Sequence, residues 1–451
     1  MKSCSIIIIK LFVLSLFSIC FTQPLTAQKL SEKTFRLTAE AEVLLDLTAS
    51  APQTSWEVTG SEAAVATILV DGQYNQDIIL FAGEKPFTYQ VMLGHLPAGE
   101  HRLQVDFNRQ QSASKATTIK ILDTKISVID AGKPEYEALS LAPIIYARPN
   151  TTGHFTDIPL LMWYEKEQNG ALTTFKYSVI FTNEDGGTQT SALMARWGRT
   201  TDIEWIYEVQ RDAQGKIISA TYQGPSHETK NFQGQHVLGH PAFMVVTNNN
   251  NVSDQGKSEM RFMPRPIFFD LTRISREEIM DRNAWTYQVM AQELKREGRI
   301  LETHKTGNKI NDLREYLYIE AASDQTKTGI SFVVKLRNNP NWYSSDQGIN
   351  YYKIERSGYF RTTVHLPAGT RLNQIERIAV RCDAFGNPKS FADVDKLADT
   401  QCNVKTINKV FMMNEQYRPS SSMPIKIQPF KMACGEMIEV YSASGVKQST
   451  R

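Results

Sequence analysis

Cysteine is scarce in this chain, and its scarcity narrows what kind of protein it can be. Five cysteines occur in 451 residues, and beyond the first thirty positions only Cys382, Cys402 and Cys434 remain. Small secreted domains stapled by disulfides are short and cysteine-dense, so that class is excluded. Charge of one sign is lacking too, because 50 Lys and Arg against 48 Asp and Glu leave a formal net charge of +2. A dedicated nucleic-acid binder would carry a strong basic excess, so nucleic acid is not an expected partner. After the N-terminus no apolar run approaches the about 20 residues of a transmembrane helix. A glycine-rich phosphate loop, a GxSxG nucleophile elbow and a CxxC redox pair are also missing, which removes three common chemistries.

What is present begins with "MKSCSIIIIKLFVLSLFSICFTQPLTA", where Lys2 precedes a broken apolar run, a polar turn at Gln23-Pro24 and small Ala27. That order predicts a signal peptide over residues 1–27, removed near Ala27, and a secreted, periplasmic or cell-surface destination. Ile19 is too bulky for the residue before a lipidated cysteine, which weakens a lipoprotein reading through Cys20. In an oxidising compartment Cys382 and Cys402 are a candidate disulfide, closing a loop worth about 3 kcal/mol. Three buried free thiols are the alternative.

Short alternating runs between Gly, Pro, Asn and Asp turns recur along the chain, so the fold class is mainly β: a multi-domain β-sandwich protein with one conspicuous helix. Residues 28–125 read as an immunoglobulin-like accessory sandwich. Residues 126–313 read as a central β domain, with "EDGG" (184–187) and "DAQG" (212–215) as hairpin turns. A helix is expected over 276–297, opened by the capping-box pair Ser275 and Glu278 and stopped by Gly298. Residues 314–451 read as a C-terminal β-sandwich region, either separate or continuous with the central one.

Candidate chemistry gathers around Asp202 and Glu204. If 201–209 is a strand, Ile203, Trp205, Tyr207 and Val209 share a core face, and Asp202 and Glu204 lie roughly 6.5–7 Å apart on the other. The "DAQG" turn then folds the next strand back and carries His227 towards them. Three of the eight histidines, His227, His236 and His240, fall in this stretch, and His154 and Asp157 could join from the domain entrance. Two histidines and a carboxylate suit zinc, whereas Asp202, Glu204 and Asp157 with carbonyl oxygens suit calcium. Without a metal, paired carboxylates and a histidine can divide acid and base roles. "HETKNF" begins like a zinc-protease HExxH, but Asn231 stands where the second histidine belongs. The plainer alternative is that histidines near turns serve as surface or structural hydrogen-bonders.

Further along, Trp342 and Tyr343 in "NNPNWYSSDQGIN" would stack on a sugar ring or plug the end of a sandwich. The loop "TNNNNVSDQG" could supply amides to a polar ligand, and Asn150 and Asn251 open glycosylation triplets. Two functions follow. One is a secreted metal-assisted or acid–base hydrolase or lyase acting on a carbohydrate polymer, with Asp202, Glu204 and His227 as its machinery. The other is a non-catalytic carbohydrate-binding or surface protein in which the same acids hold a structural divalent cation.

"DIEW" followed by a strand and "YQGPSHE" resembles the acidic-tryptophan segment of two groups. They are the secreted necrosis-inducing proteins and the vacuolar-sorting-associated proteins with a Gly-Asp-Trp-Glu motif. The resemblance implies a β-sandwich in which Asp202 matches the motif aspartate and Glu204 stands near its glutamate, with a divalent cation bound. The sequence departs from the motif at Trp205, which follows the glutamate, and at Arg199-Thr200-Thr201, which replaces a histidine-bearing prefix.

Overall fold

The structure, a computed structural model, describes residues 28–148, 158–184, 187–301, 307–385 and 401–444. The signal-peptide segment, the Asn150 triplet, His154 and Asp157 lie outside these residues. The β-branched and aromatic runs become strands, as their fit to a pleated, half-buried surface dictates. They assemble into six sheets among the described residues, and the chain is mainly β, with few and short helices.

In the N-terminal region the strands Gln28–Leu37, Gly99–Phe107, Val65–Val70 and Gln73–Ile79 form one sheet, and Phe87–Leu96, Ala41–Ser50 and Lys120–Ile129 form another. Leu45 and Leu47 from the second meet Ile68 and Val105 from the first in a shared core. The last strand runs past the boundary expected at 125. The central region is built on a six-stranded sheet in the order Thr229–Asn231, Ile217–Gln223, Asp202–Arg211, Leu172–Phe181, Pro159–Asn169, Pro266–Phe268. Its aromatics Phe175, Tyr177 and Tyr207 pack with Phe243 of a smaller sheet.

The C-terminal region holds two four-stranded sheets whose facing residues, among them Ile319, Phe332, Val380 and Val404, share one core. Cys382 and Cys402 are disulfide-bonded and tie a strand of one sheet to a strand of the other. Cys434 is a half-buried free thiol.

Three expectations need correction here. The helix of 276–297 is two helices, Glu278–Arg282 and Trp285–Arg296, broken where Asn283 leaves helical geometry (φ −120°, ψ 58°). Ser275 does not cap it, because its hydroxyl donates to Glu320 Oε2 at 2.8 Å. The Gly298 stop does form: at φ 62° its N–H reaches Lys295 O, and Arg299 N–H reaches Leu294 O, the paired bonds of a left-handed C-cap.

Second, the hairpin connection expected at "EDGG" is longer than a tight turn. The strands flanking it, Leu172–Phe181 and Asp202–Arg211, do pair antiparallel, but the connection contains the helix Thr190–Trp197, ended by Gly198 at φ 64°. Thr362 and Thr363 of the strand Gly358–His365 donate to Ala195 O and Met194 O at 2.5 and 2.8 Å. The central and C-terminal regions are joined by this seam.

Third, Trp342 and Tyr343 lie not on a loop but in the short edge strand Trp342–Ser344. Trp342 is exposed, whereas Tyr343 is partly buried and its hydroxyl accepts from Asn339 Nδ2 at 2.9 Å.

Candidate active site

The "DAQG" turn folds as expected. Asp212 N–H reaches Lys216 O, Gly215 takes φ 81°, and Ile217–Gln223 pairs back along Asp202–Arg211 with Tyr207 opposite Tyr222. The far end of the hairpin therefore returns to the start of the first strand. There Ser226 and His227 both adopt φ 59°, a left-handed conformation uncommon for non-glycine residues and frequent where geometry is held for function. His227 Nδ1 comes within 3.8 Å of Glu204 Oε1.

The faces of the strand Asp202–Arg211 differ from strict alternation. A bulge leaves Tyr177 opposite Tyr207 but Ser178 opposite Trp205, so Ile206 is the extra residue. Beyond it, Glu204 faces Val179 and Asp202 faces Phe181, both members of the aromatic core. The carboxyls thus lie on the same face as Tyr207 and Val209, at the end of a core rather than on an open surface. Ile203, on the opposite face, packs into the core of the N-terminal region. A bulge re-aims side chains in this way, and it explains why Asp202 and Glu204 are only 2% and 7% exposed.

Around Glu204 the polar partners are specific. Gln223 Nε2 contacts Glu204 Oε2 and lies 3.0 Å from His227 Nδ1. Asn249 Nδ2 lies 3.3 Å from Glu204 Oε1 and 3.1 Å from His227 Nε2. A neutral imidazole has one donor and one acceptor nitrogen, so one of these amides must present its oxygen. One arrangement satisfies every group: Gln223 donates to Nδ1, Asn249 accepts from Nε2–H, and a protonated Glu204 donates to Asn249. Asn250 donates to Asp202 Oδ2 at 2.9 Å and to Asn183 O at 3.0 Å. The asparagine loop beside the site thus supplies the amides, and Asn251, buried at 3% exposure within it, is no accessible glycosylation acceptor in the folded chain.

Electrostatics favour that protonated state. Burial, and then the neighbouring Asp202, push the Glu204 carboxyl up to about 8, against weaker opposition from Arg276 and the Gln223 hydrogen bond. Burial also raises Asp202, outweighing Arg199 and Asn250, and Asp202 is hydrogen-bonded to Glu184. All of these groups open onto one pocket of about 420 Å³, lined also by Arg196, Arg199, Arg276, Trp197 and Tyr351.

Not every expected residue arrives. His240 is fully buried elsewhere, with Nδ1 3.0 Å from Ala142 O and Nε2 3.1 Å from Glu42. His236 is exposed and packs edge-on against Phe232. Neither belongs to the metal set in which the sequence put them. Among the described residues no group of three or more His, Cys, Asp or Glu is placed to hold a metal ion. Sequence reasoning missed Glu184, Arg199 and Arg276, which come from three separate segments, although "SALMARWG" carries a helix-stop pattern that points to the seam.

No family model matches the chain, nor does any curated protein. A solved structure of NLPPya in complex with mannosamine is similar over 30% of this chain and 71% of its own, at 9% identity and a TM-score of 0.21. A crystal structure of Ruminococcus gnavus beta-glucuronidase is similar over 44% of this chain and 34% of its own, at 11% identity and a TM-score of 0.14. Likenesses this slight assign the chain to no family.

Proposed function

We propose that this chain is an exported acid–base enzyme that cleaves a glycosidic bond of a carbohydrate polymer, with Glu204 as the proton donor. One observation carries the reading: a buried Glu204 carboxyl, held by Gln223 and Asn249 beside His227, opens onto a polar pocket edged by Trp197 and Tyr351. A carboxyl kept protonated near neutral pH is suited to give a proton to a leaving oxygen. In the proposed step Glu204 protonates the glycosidic oxygen, the carbon–oxygen bond breaks, and water adds to the sugar carbon. The proton of that water passes to Asp202 and from there to solvent, and Glu204 regains a proton from solvent at the pocket mouth beside the exposed His227. The facing sheet pairs are proposed to be β-sandwiches that present this pocket, and the N-terminal signal pattern supports export.

The test is a polysaccharide panel assayed for newly formed sugar ends with wild type and Glu204→Gln. Loss of turnover by about 10²–10⁴-fold, with folding and binding retained, is expected for removal of a general acid. Binding without turnover in the wild type, unchanged by Glu204→Gln, would instead leave a carbohydrate-binding protein.

A further inference from the structure

We propose that the pocket selects an anionic glycan, one carrying a carboxylate or sulfate, and that Arg276 is the residue that pairs with that charge. This rests on the reading of the pocket as a sugar site and adds the class of sugar. Arg276 lines the pocket, and its side chain keeps 40% exposure, in contrast to the 3% of Arg199.

The carboxylate partner of Arg276 is shared. Arg199 Nε and Arg276 Nε approach the same oxygen, Glu277 Oε1, at 3.4 and 3.6 Å. Arg356, buried behind them, donates to the Arg196 carbonyl rather than to a carboxylate. The remaining acids of the pocket compensate little. Burial pushes both the Glu204 and the Asp202 carboxyls up, which weakens the negative charge they set against the arginines. Burial, followed by repulsion from Arg276, holds Arg199 below the usual guanidinium range, and burial brings Arg356 down to about 10. Two guanidiniums thus share one carboxylate oxygen at this wall, and the exposed one is Arg276.

Arg276 spends one nitrogen on Ile203 O at 3.1 Å, which fixes the guanidinium at the pocket edge. Arg196, on the same lining, pairs with Glu355, and its buried Nε has no hydrogen-bond partner among the described residues. An incoming anion would meet the exposed Arg276 guanidinium, whose planar fork is matched to carboxylate and sulfate oxygens. A neutral sugar would offer Arg276 no charge to pair with.

The test compares polygalacturonate with its methyl ester, and a sulfated galactan with the unsulfated polymer, for binding and for release of sugar ends. Wild type, Arg276→Ala and Arg276→Lys are used as full chains. Wild type should favour one anionic polymer over its neutral partner by at least about tenfold, the order of one charge-assisted hydrogen bond. Which pair shows the preference separates carboxylate from sulfate. Arg276→Ala should lose the preference while keeping its unfolding midpoint, and Arg276→Lys should keep part of it. Equal treatment of charged and neutral polymers by wild type, or a preference that survives Arg276→Ala, overturns the proposal. Glu204-dependent turnover of neutral polymers alone would overturn it while leaving the acid–base reading intact. Anion selectivity without Glu204-dependent turnover would support Arg276 and overturn the acid–base reading. Binding of no polymer overturns both.

Discussion

Two buried charge clusters lie at the seam of the central and C-terminal regions, and they are built from the same residue types to opposite effect. In one, Arg361 is fully buried and bonds Asp281 through both terminal nitrogens at 2.6 and 2.8 Å, with Glu320 at 2.8 Å and the Tyr287 hydroxyl at 2.8 Å. Lys409 of the strand Gln401–Met412 reaches Asp281 at 3.0 Å. In the other, Asp202, Glu184 and Glu204 face Arg199 and Arg276 across a pocket, without a bidentate pair. Burial tends to raise Asp281, but Arg361 outweighs it and holds the carboxyl below its usual range. At Glu204 burial prevails and the carboxyl rises. Geometry decides whether a buried acid becomes a fixed charge that joins regions or a proton store that can react.

The sharpest way to break this contrast is to remove Arg361. Arg361→Met leaves Glu320 buried without its cation and Asp281 with Lys409 alone, and a loss of about 3–5 kcal/mol in urea unfolding is expected. A loss below about 1 kcal/mol would deny the cluster its joining role.

Next in size is the dependence of stability on pH, where the two clusters should have opposite slopes. The folded-state value of Glu204 is raised, so the native chain holds its proton more tightly than the unfolded chain does. Its contribution is present at low pH and is lost as pH rises from about 4.5 to about 8, at up to about 1.4 kcal/mol per pH unit. Asp281 is lowered, so its contribution is present above its ordinary 3.8 and is lost as pH falls below it. Glu204→Gln should flatten the neutral slope alone and Asp281→Asn the acid one, measured as unfolding free energy against pH. A common slope change in both variants would contradict the distinction.

Smaller effects sharpen the comparison. Asn249→Ala removes the amide between Glu204 and His227, and it should lower turnover about tenfold while changing stability by no more than about 1 kcal/mol. A larger loss of stability with unchanged turnover would make the asparagine loop structural. Trp342→Ala, at an exposed edge strand and outside the pocket lining, should change stability by less than about 0.5 kcal/mol and leave polymer binding as it is. Loss of binding in that variant would reinstate the aromatic platform expected from its sequence.

Local signals were legible where they determine structure locally. "DAQG" folded the hairpin that carries His227 to Glu204, Gly298 ended its helix, and Cys382 met Cys402. What the sequence did not disclose depends on tertiary partners. The bulge at Ile206 is a property of pairing with Leu172–Phe181, and it moved Asp202 and Glu204 from an expected surface to the end of a core. Ser275 reads as a cap until Glu320 arrives from a distant strand to take its hydroxyl. The spacing of His236 and His240 suggested a shared site, but Glu42 of the N-terminal region claims His240. Glu184, Arg199 and Arg276 carry no motif, because only the seam brings their segments together.

The protonation state of Glu204 distinguishes a reactive pocket from a second structural cluster. Difference infrared spectroscopy of wild type against Glu204→Gln, titrated from pH 5 to 9, reads it through the protonated-carboxyl band. A band lost in the variant and titrating near pH 8 is the predicted result, since the carboxyl is pushed up to about 8. A Glu204 carboxyl already ionised at pH 6 would contradict it and return the pocket to a fixed cluster like that of Arg361.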